Sequence, residues 1–165
     1  MKRYRSTMRS PIGEILLVGE IAGDAVALRG AFFADAPHAA RAAEVDAIDD
    51  GAPLAPVIEE LEAYFDGERT RFSIALAPQG TPFQLAVWRA LEAIPYGATT
   101  TYAAIARAIG RPSASRAVGA ANGHNPISII VPCHRVVGSS GALSGYAGGL
   151  ERKRALLALE ERRAA

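Results

Sequence analysis

The stretch "TYAAIARAIGRPSASRAVGAAN", residues 101–122, decides how the second half of this chain folds. Threonine leads the first run and Gly110 ends it, the residue types that start and stop a helix. A second helix fits "SASRAVGAAN", with Ser113 as N-cap and Gly123 near its end. Two short helices joined by "GRPS" have the form of a helix-turn-helix. The second is unusually slim, with Ala114, Ala117, Gly119, Ala120, Ala121 and Gly123. Close helix packing explains that, and so does a helix that must enter a narrow groove. Arg116 stands near its N-terminus, where a cation opposes the helix dipole. It reads either as a surface arginine or as one reaching a phosphate or a base.

Upstream, "TPFQ" (Thr81 to Gln84) is a capping box with proline at the first helical position. Phe83, Val87, Leu91 and Ile94 form one apolar face, and Pro95 and Gly97 stop that helix. Residues 77–80, "APQG", read as a linker between domains 1–78 and 79–165. Before it, residues 2–33 read as a β-meander turning at "SPIG" and at Gly23-Asp24. Residues 34–52 are alanine-rich and acidic without a stripe, and read as a loop or a poorly ordered helix. Residues 53–66 read as a helix through Val57, Leu61, Tyr64 and Phe65, and "TRFSIAL" reads as a strand.

Downstream, the apolar segments 127–131 and 135–137 read as β. A Gly/Ser loop follows, and a last helix spans about Leu150 to Arg162. On a helical wheel Leu150, Leu156, Leu157 and Leu159 define a stripe. Glu160 falls near its middle with Lys153 beside it. A carboxylate aimed into a core needs a partner. It snorkels at a frayed end or pairs with Lys153, or it orients a histidine as the third member of a Cys-His-Glu relay.

Cys133, the only cysteine, sits in "NPISIIVPCHRVVG", residues 125–138. A lone cysteine is by default a small buried hydrophobe. Here Pro132 fixes the backbone, His134 supplies a base, and Arg135 adds positive charge that favours thiolate. Adjacent side chains in a helix diverge, so direct Cys133–His134 contact needs a turn or a bridging water.

Of the 165 residues half are apolar and the net charge is +1, which permits a core and excludes no partner class. One cysteine cannot make an internal disulfide or a thiolate-rich zinc site. A free thiol suits a reducing cytosol. "MKRYRSTMRSPIGEILLVG" lacks a signal-peptide pattern, and no apolar run is long enough to span a membrane. The expectation is a cytoplasmic chain with no metal.

With these motifs in view, residues 81–160 resemble the C-terminal domain of the O6-alkylguanine-DNA alkyltransferases, the methylated-DNA–protein-cysteine methyltransferases. The resemblance rests on "IIVPCHRVV", with "PYG", "TYAAIA", "SRAVGAANGHNP" and "GYAGGLERKRALLALE" in the family's order. It extends to the start through "SPIGEILLV" and "LEAYFDGE"; only residues 34–52 match poorly. The implied fold is α+β: an N-terminal β-sheet domain with a helix (ribonuclease H-like), then a winged helix-turn-helix-like domain.

The implied activity is direct-reversal DNA repair. Cys133 takes the alkyl group from O6 of guanine, or less readily O4 of thymine, irreversibly and once per molecule, without a cofactor. His134 deprotonates Cys133 through water, Glu160 holds the His134 tautomer, Tyr102 hydrogen-bonds the damaged base, and Asn125 braces the turn. Backbone at Cys133 and Val136 accepts from the guanine amino group, and Tyr146, Ala147 and Gly148 wall the pocket. The partner is double-stranded DNA, entered by the minor groove. Ala114, Ala117, Ala121, Asn122 and Gly123 face it, and Arg116 replaces the flipped base. The protein acts as a monomer, with cooperativity on DNA left open. Ala147 stands where a relative has serine, and the N-terminal zinc site of some eukaryotic relatives is absent. The competing readings are a sensor that only flags alkylated bases and a thiol hydrolase.

Overall fold

The computed structural model of the chain describes residues 1–164. It divides into two units, Met1–Gln79 and Gly80–Ala165. The first is a five-stranded sheet in the order β4-β1-β2-β3-β5. Strands β1 (Arg3–Ser10), β2 (Gly13–Ala22) and β3 (Ala25–Phe33) form the expected antiparallel meander. Central β2 is buried continuously from Ile15 to Glu20, because both of its faces are covered. That is why it reads as an unbroken "ILLV" rather than an alternating pattern. Glu20 at the end of that run is held by Arg3 and Arg29, which lie across it on the neighbouring strands.

The poorly patterned stretch 34–52 contains a helix, α1 (Pro37–Ala43), and a two-residue edge strand, β4 (Ile48–Asp49), parallel to β1. Only Ala39 and Ala42 of α1 are buried, so its contact with the core is too small to leave an apolar stripe. Helix α2 (Ala55–Phe65) buries Val57, Leu61 and Tyr64. It ends in a Schellman motif: Gly67 has φ +74°, its N–H bonds Tyr64 and that of Glu68 bonds Ala63. The strand expected over "TRFSIAL" shrinks to β5 (Ala75–Leu76), parallel to β3.

The second unit carries the helix-turn-helix. Helix α3 (Pro82–Glu92) starts with both bonds of its capping box, 3.0 Å from the Thr81 N–H to Gln84 and 3.1 Å in return. Strand β6 (Thr100–Thr101) leads into α4 (Tyr102–Ala108), which Thr101 caps. Gly110, at φ +74°, closes α4 with a second Schellman motif. Helix α5 (Ser115–Gly123) begins later than expected. Its N-cap is Ala114, whose own N–H closes a turn on Arg111, so Ser113 does not cap it.

The β-rich segment 127–131 is another correction, because it is a single bridge residue, Ile127, followed by turns. Ile129 has φ +75°, which no strand admits. Only β7 (Val136–Val137) is extended, and it pairs in parallel with β6. Helix α6 (Leu150–Ala164) closes the unit and buries Lys153, Leu156 and Glu160. Among the described residues no helix is long and apolar enough to cross a membrane.

Candidate functional site

Asn125 builds the base of the site. Its amide donates to the carbonyls of Ile127 (3.3 Å) and Val131 (2.8 Å), while its oxygen accepts from the Ile127 N–H at 3.0 Å. Three bonds from one buried side chain replace the ladder a strand would have used, and they pin Ile129 in its left-handed conformation. The chain then enters a single 3-10 turn, Cys133–Arg135, in which all three side chains are buried. Three residues per turn send Cys133 and His134 in different directions. The two side chains share no direct hydrogen bond.

Glu160 resolves the ambiguity left by its place on the apolar stripe. Its carboxylate accepts from His134 Nε2 at 2.6 Å and from Arg135 Nε and Nη2 at 2.7 and 3.1 Å. The Gly97 N–H reaches it at 3.3 Å. Arg135 also donates to the Ile94 carbonyl at 2.7 Å. The fork of Arg135 is therefore committed to Glu160, which corrects the expectation that its charge serves the thiol. With Nε2–H donated to a carboxylate, His134 is fixed in one neutral tautomer. Its Nδ1 is the ring's remaining acceptor, buried and without a hydrogen-bond partner in the protein.

Burial sets the protonation states. It pushes the Cys133 thiol up to about 11, although a hydrogen bond with Asn125 and the Lys153 charge pull the other way. It pushes His134 down, against the raising effect of Glu160. The resting pair is a neutral thiol and a neutral imidazole. The expectation that local positive charge favours resting thiolate is thus overturned by desolvation.

Other expected residues gather nearby. The Tyr102 hydroxyl, at the first position of α4, donates to the Ser144 carbonyl at 3.3 Å. Val136 is buried; its N–H closes the 3-10 turn on the Cys133 carbonyl, and its own carbonyl accepts from Lys153 at 2.6 Å. Burial holds the Tyr146 hydroxyl well above the ordinary tyrosine range, partly offset by its bond with Ser128. In the same loop Ala147 is exposed and Gly148 half-buried.

Helix α5 divides the expected DNA-facing residues. Arg116 and Ala117 are exposed, and Ala114 and Gly123 are half-buried. Ala121 and Asn122 are each 3% exposed and turn inward. The Ala121 carbonyl accepts from Trp88 Nε1 at 2.8 Å, and the Asn122 amide reaches the Cys133 carbonyl at 3.4 Å. Neither side chain is placed for a surface contact. The period of the helix could have shown this, since Val118, Ala121 and Asn122 fall on one stripe.

The roles of Arg135 as the carboxylate's clamp and of Ser144 as a shared acceptor were not legible in the sequence. Neither lies on a periodic pattern. Among the described residues no cluster of three or more His, Cys, Asp or Glu side chains could hold a metal ion.

Comparison with known proteins places this geometry. Residues 3–78 match the model of the 6-O-methylguanine DNA methyltransferase ribonuclease-like domain, and residues 82–162 match that of the DNA-binding domain. A methylated-DNA–protein-cysteine methyltransferase of Mycolicibacterium paratuberculosis is 62% identical over 109 residues, 66% of each chain. One from Methanosarcina acetivorans is 48% identical over 159 residues, 95% of this chain and 97% of the relative. The crystal structure of Mycobacterium tuberculosis OGT in complex with DNA superposes with TM-score 0.87 at 47% identity, covering 97% of this chain and 94% of the other. A methyltransferase from Pyrococcus kodakaraensis, at 24% identity and TM-score 0.53, shares the fold. With the two domain models matched over residues 3–78 and 82–162, the chain belongs to the 6-O-methylguanine DNA methyltransferase family.

Proposed function

We propose that the protein repairs alkylated DNA by moving the alkyl group from O6 of guanine onto Cys133, once per molecule. The observation that carries this reading is the commitment of Glu160. By accepting His134 Nε2–H and Arg135 together, it leaves a single basic nitrogen, His134 Nδ1, on the residue that follows the only cysteine of the chain. In the transfer, the Sγ–CH3 bond forms as the CH3–O6 bond breaks. The thiol proton passes through a water to His134 Nδ1, and Glu160 stabilises the imidazolium. The guanine leaves as its ordinary amide once it takes up a proton, and Tyr102 hydrogen-bonds it during departure. The sum is thiol plus methyl ether giving thioether plus guanine. No group in the site can break a thioether, so the protein is consumed.

A thiol held near 11 has a functional reading here. The acceptor stays protonated, and poorly reactive toward other electrophiles, until a base occupies the site. The M. tuberculosis relative solved with DNA supports the choice of partner. We place the exposed side of α5 in the minor groove of duplex DNA, with Arg116 filling the stack after the alkylated base flips out. Ala114, Ala117 and Gly123 allow the close approach. Asn125 braces the acceptor turn, while Val136, Tyr146, Ala147 and Gly148 line the base pocket. The protein acts as a monomer in a reducing cytosol.

Intact mass after incubation with duplex DNA carrying O6-methylguanine tests the reading. One methyl on Cys133 per molecule, with no turnover, is expected. Retained binding without an adduct would make the protein a damage sensor instead.

A further inference from the structure

Asn122 is 3% exposed, and its carboxamide oxygen is buried with no hydrogen-bond partner in the protein. The amide nitrogen donates to the Cys133 carbonyl at 3.4 Å, which identifies the oxygen as the open end. Leaving a buried acceptor unpaired is costly, and each such group in a folded protein calls for an explanation. His134 Nδ1 is another acceptor of this kind, and the transfer gives it the thiol proton. The transfer gives Asn122 Oδ1 nothing.

The lone pairs of the acceptor turn are nearly all in use. A carbonyl oxygen accepts two hydrogen bonds. The Cys133 carbonyl already takes two, from the Val136 N–H and from Asn122. The Val136 carbonyl takes one, from Lys153 at 2.6 Å, and keeps one lone pair. The amino group of an alkylated guanine brings two protons to this wall. The backbone of Cys133 and Val136 therefore has room for one of them, and Asn122 Oδ1 is the open acceptor for the other.

The distances allow it. The oxygen and nitrogen of one carboxamide are about 2.3 Å apart, so Oδ1 lies within about 5.7 Å of the Cys133 carbonyl oxygen. An NH2 group that donates to two acceptors at about 2.9 Å holds them about 5 Å apart. One amino group can thus lie across Asn122 Oδ1 and the backbone of the acceptor turn. In O4-methylthymine the same edge of the ring carries a carbonyl oxygen instead. That oxygen meets Asn122 Oδ1 acceptor to acceptor, and both stay unpaired.

We propose that Asn122 is a specificity-determining residue: its Oδ1 accepts a hydrogen bond from the 2-amino group of the flipped guanine and so selects O6-alkylguanine over O4-alkylthymine. The proposal rests on the alkyl-transfer reading and deepens it, naming the group that chooses the base.

Single-turnover transfer is measured in wild type and in Asn122→Leu with three duplexes. They carry O6-methylguanine, O6-methylhypoxanthine, which lacks only the amino group, and O4-methylthymine. Leucine keeps the approximate shape of asparagine without its acceptor. In wild type O6-methylguanine should react about tenfold faster than O6-methylhypoxanthine. In Asn122→Leu that ratio should fall to about twofold, and the preference over O4-methylthymine should fall with it. An unchanged ratio would overturn the proposal. So would equal losses on all three bases, which mere bracing of the Cys133 carbonyl would produce. A second measurement covers a leucine variant that does not fold. In Cys133→Ser bound to each duplex, the carboxamide carbon of Asn122, followed by NMR, should shift with O6-methylguanine and stay near its free position with O6-methylhypoxanthine. Identical shifts would overturn the proposal. Absence of transfer from every duplex in wild type would overturn the alkyl-transfer reading and this proposal with it, whereas transfer with an unchanged ratio overturns this proposal alone.

Discussion

Replacing Glu160 by glutamine preserves shape and removes one charge, and the structure fixes what must follow. The carboxylate receives donors from His134 Nε2, from two nitrogens of Arg135 and from the Gly97 N–H. A glutamine amide offers one oxygen and turns its NH2 toward at least one of these donors. Arg135, 6% exposed, is then a buried cation without its counter-ion. Breaking such a pair from one side costs about 3–5 kcal/mol. For a chain of this size that is a fall in Tm of about 6–20 °C, at about 2–4 °C per kcal/mol. His134 also loses its tautomer lock and the partner for its imidazolium, so transfer should slow by about 10²–10⁴-fold. Thermal unfolding and single-turnover transfer from O6-methylguanine duplex read the two effects separately. Adding Arg135→Met to Glu160→Gln removes the stranded cation. Stability should largely return in the double variant while transfer stays slow. A single variant within about 1 kcal/mol of wild type and unimpaired in transfer would refute the reasoning, since a buried clamp cannot be lost so cheaply.

Further outcomes follow from the same geometry. The folded state prefers the Cys133 thiol, so this group contributes stability that is full below about pH 8.5 and is lost as pH rises toward 11. Urea unfolding of wild type should therefore lose about 3 kcal/mol more than Cys133→Ser across that window, and parallel curves would contradict it. His134 is held below its ordinary range, so its contribution is present above about pH 6.5 and falls away in acid. A His134→Gln variant should show a weaker decline in stability below that pH. Asn125→Ala deletes three buried hydrogen bonds under the strained Ile129 and should cost about 3 kcal/mol or more in urea unfolding. Arg116→Ala should leave stability unchanged and reduce repair of duplex DNA more than transfer from free O6-benzylguanine. Equal losses on the two substrates would remove Arg116 from the base stack.

How far the sequence could be read depended on whether a feature was local. The capping box at Thr81, the glycine stops and the apolar faces of α2 and α3 are set within a few residues, so their elements stand where expected. The relay residues were legible because Cys133 and His134 adjoin a distinctive motif and Glu160 breaks an apolar stripe. Segment 127–131 misled because its three isoleucines and Val131 are strong strand formers. The side chain of Asn125 overrides that preference, and nothing in the pattern announces it. Arg135 misled for a similar reason. Its partner is 25 residues away, and its proximity to Cys133 in the chain suggested a different one. The thiol's protonation state depended on burial, which outweighs neighbouring charge and has no signature in residue order.

The bond between Trp88 and the Ala121 carbonyl has a practical consequence. Trp88 is the only tryptophan in the chain, buried in the second unit with its indole N–H fixed to the backbone of α5. Indole emission is therefore a built-in optical probe of that helix, silent about the N-terminal sheet. Followed beside circular dichroism, it separates melting of the helix-turn-helix unit from melting of the sheet, and it gives a label-free signal for any movement of α5 when a ligand arrives.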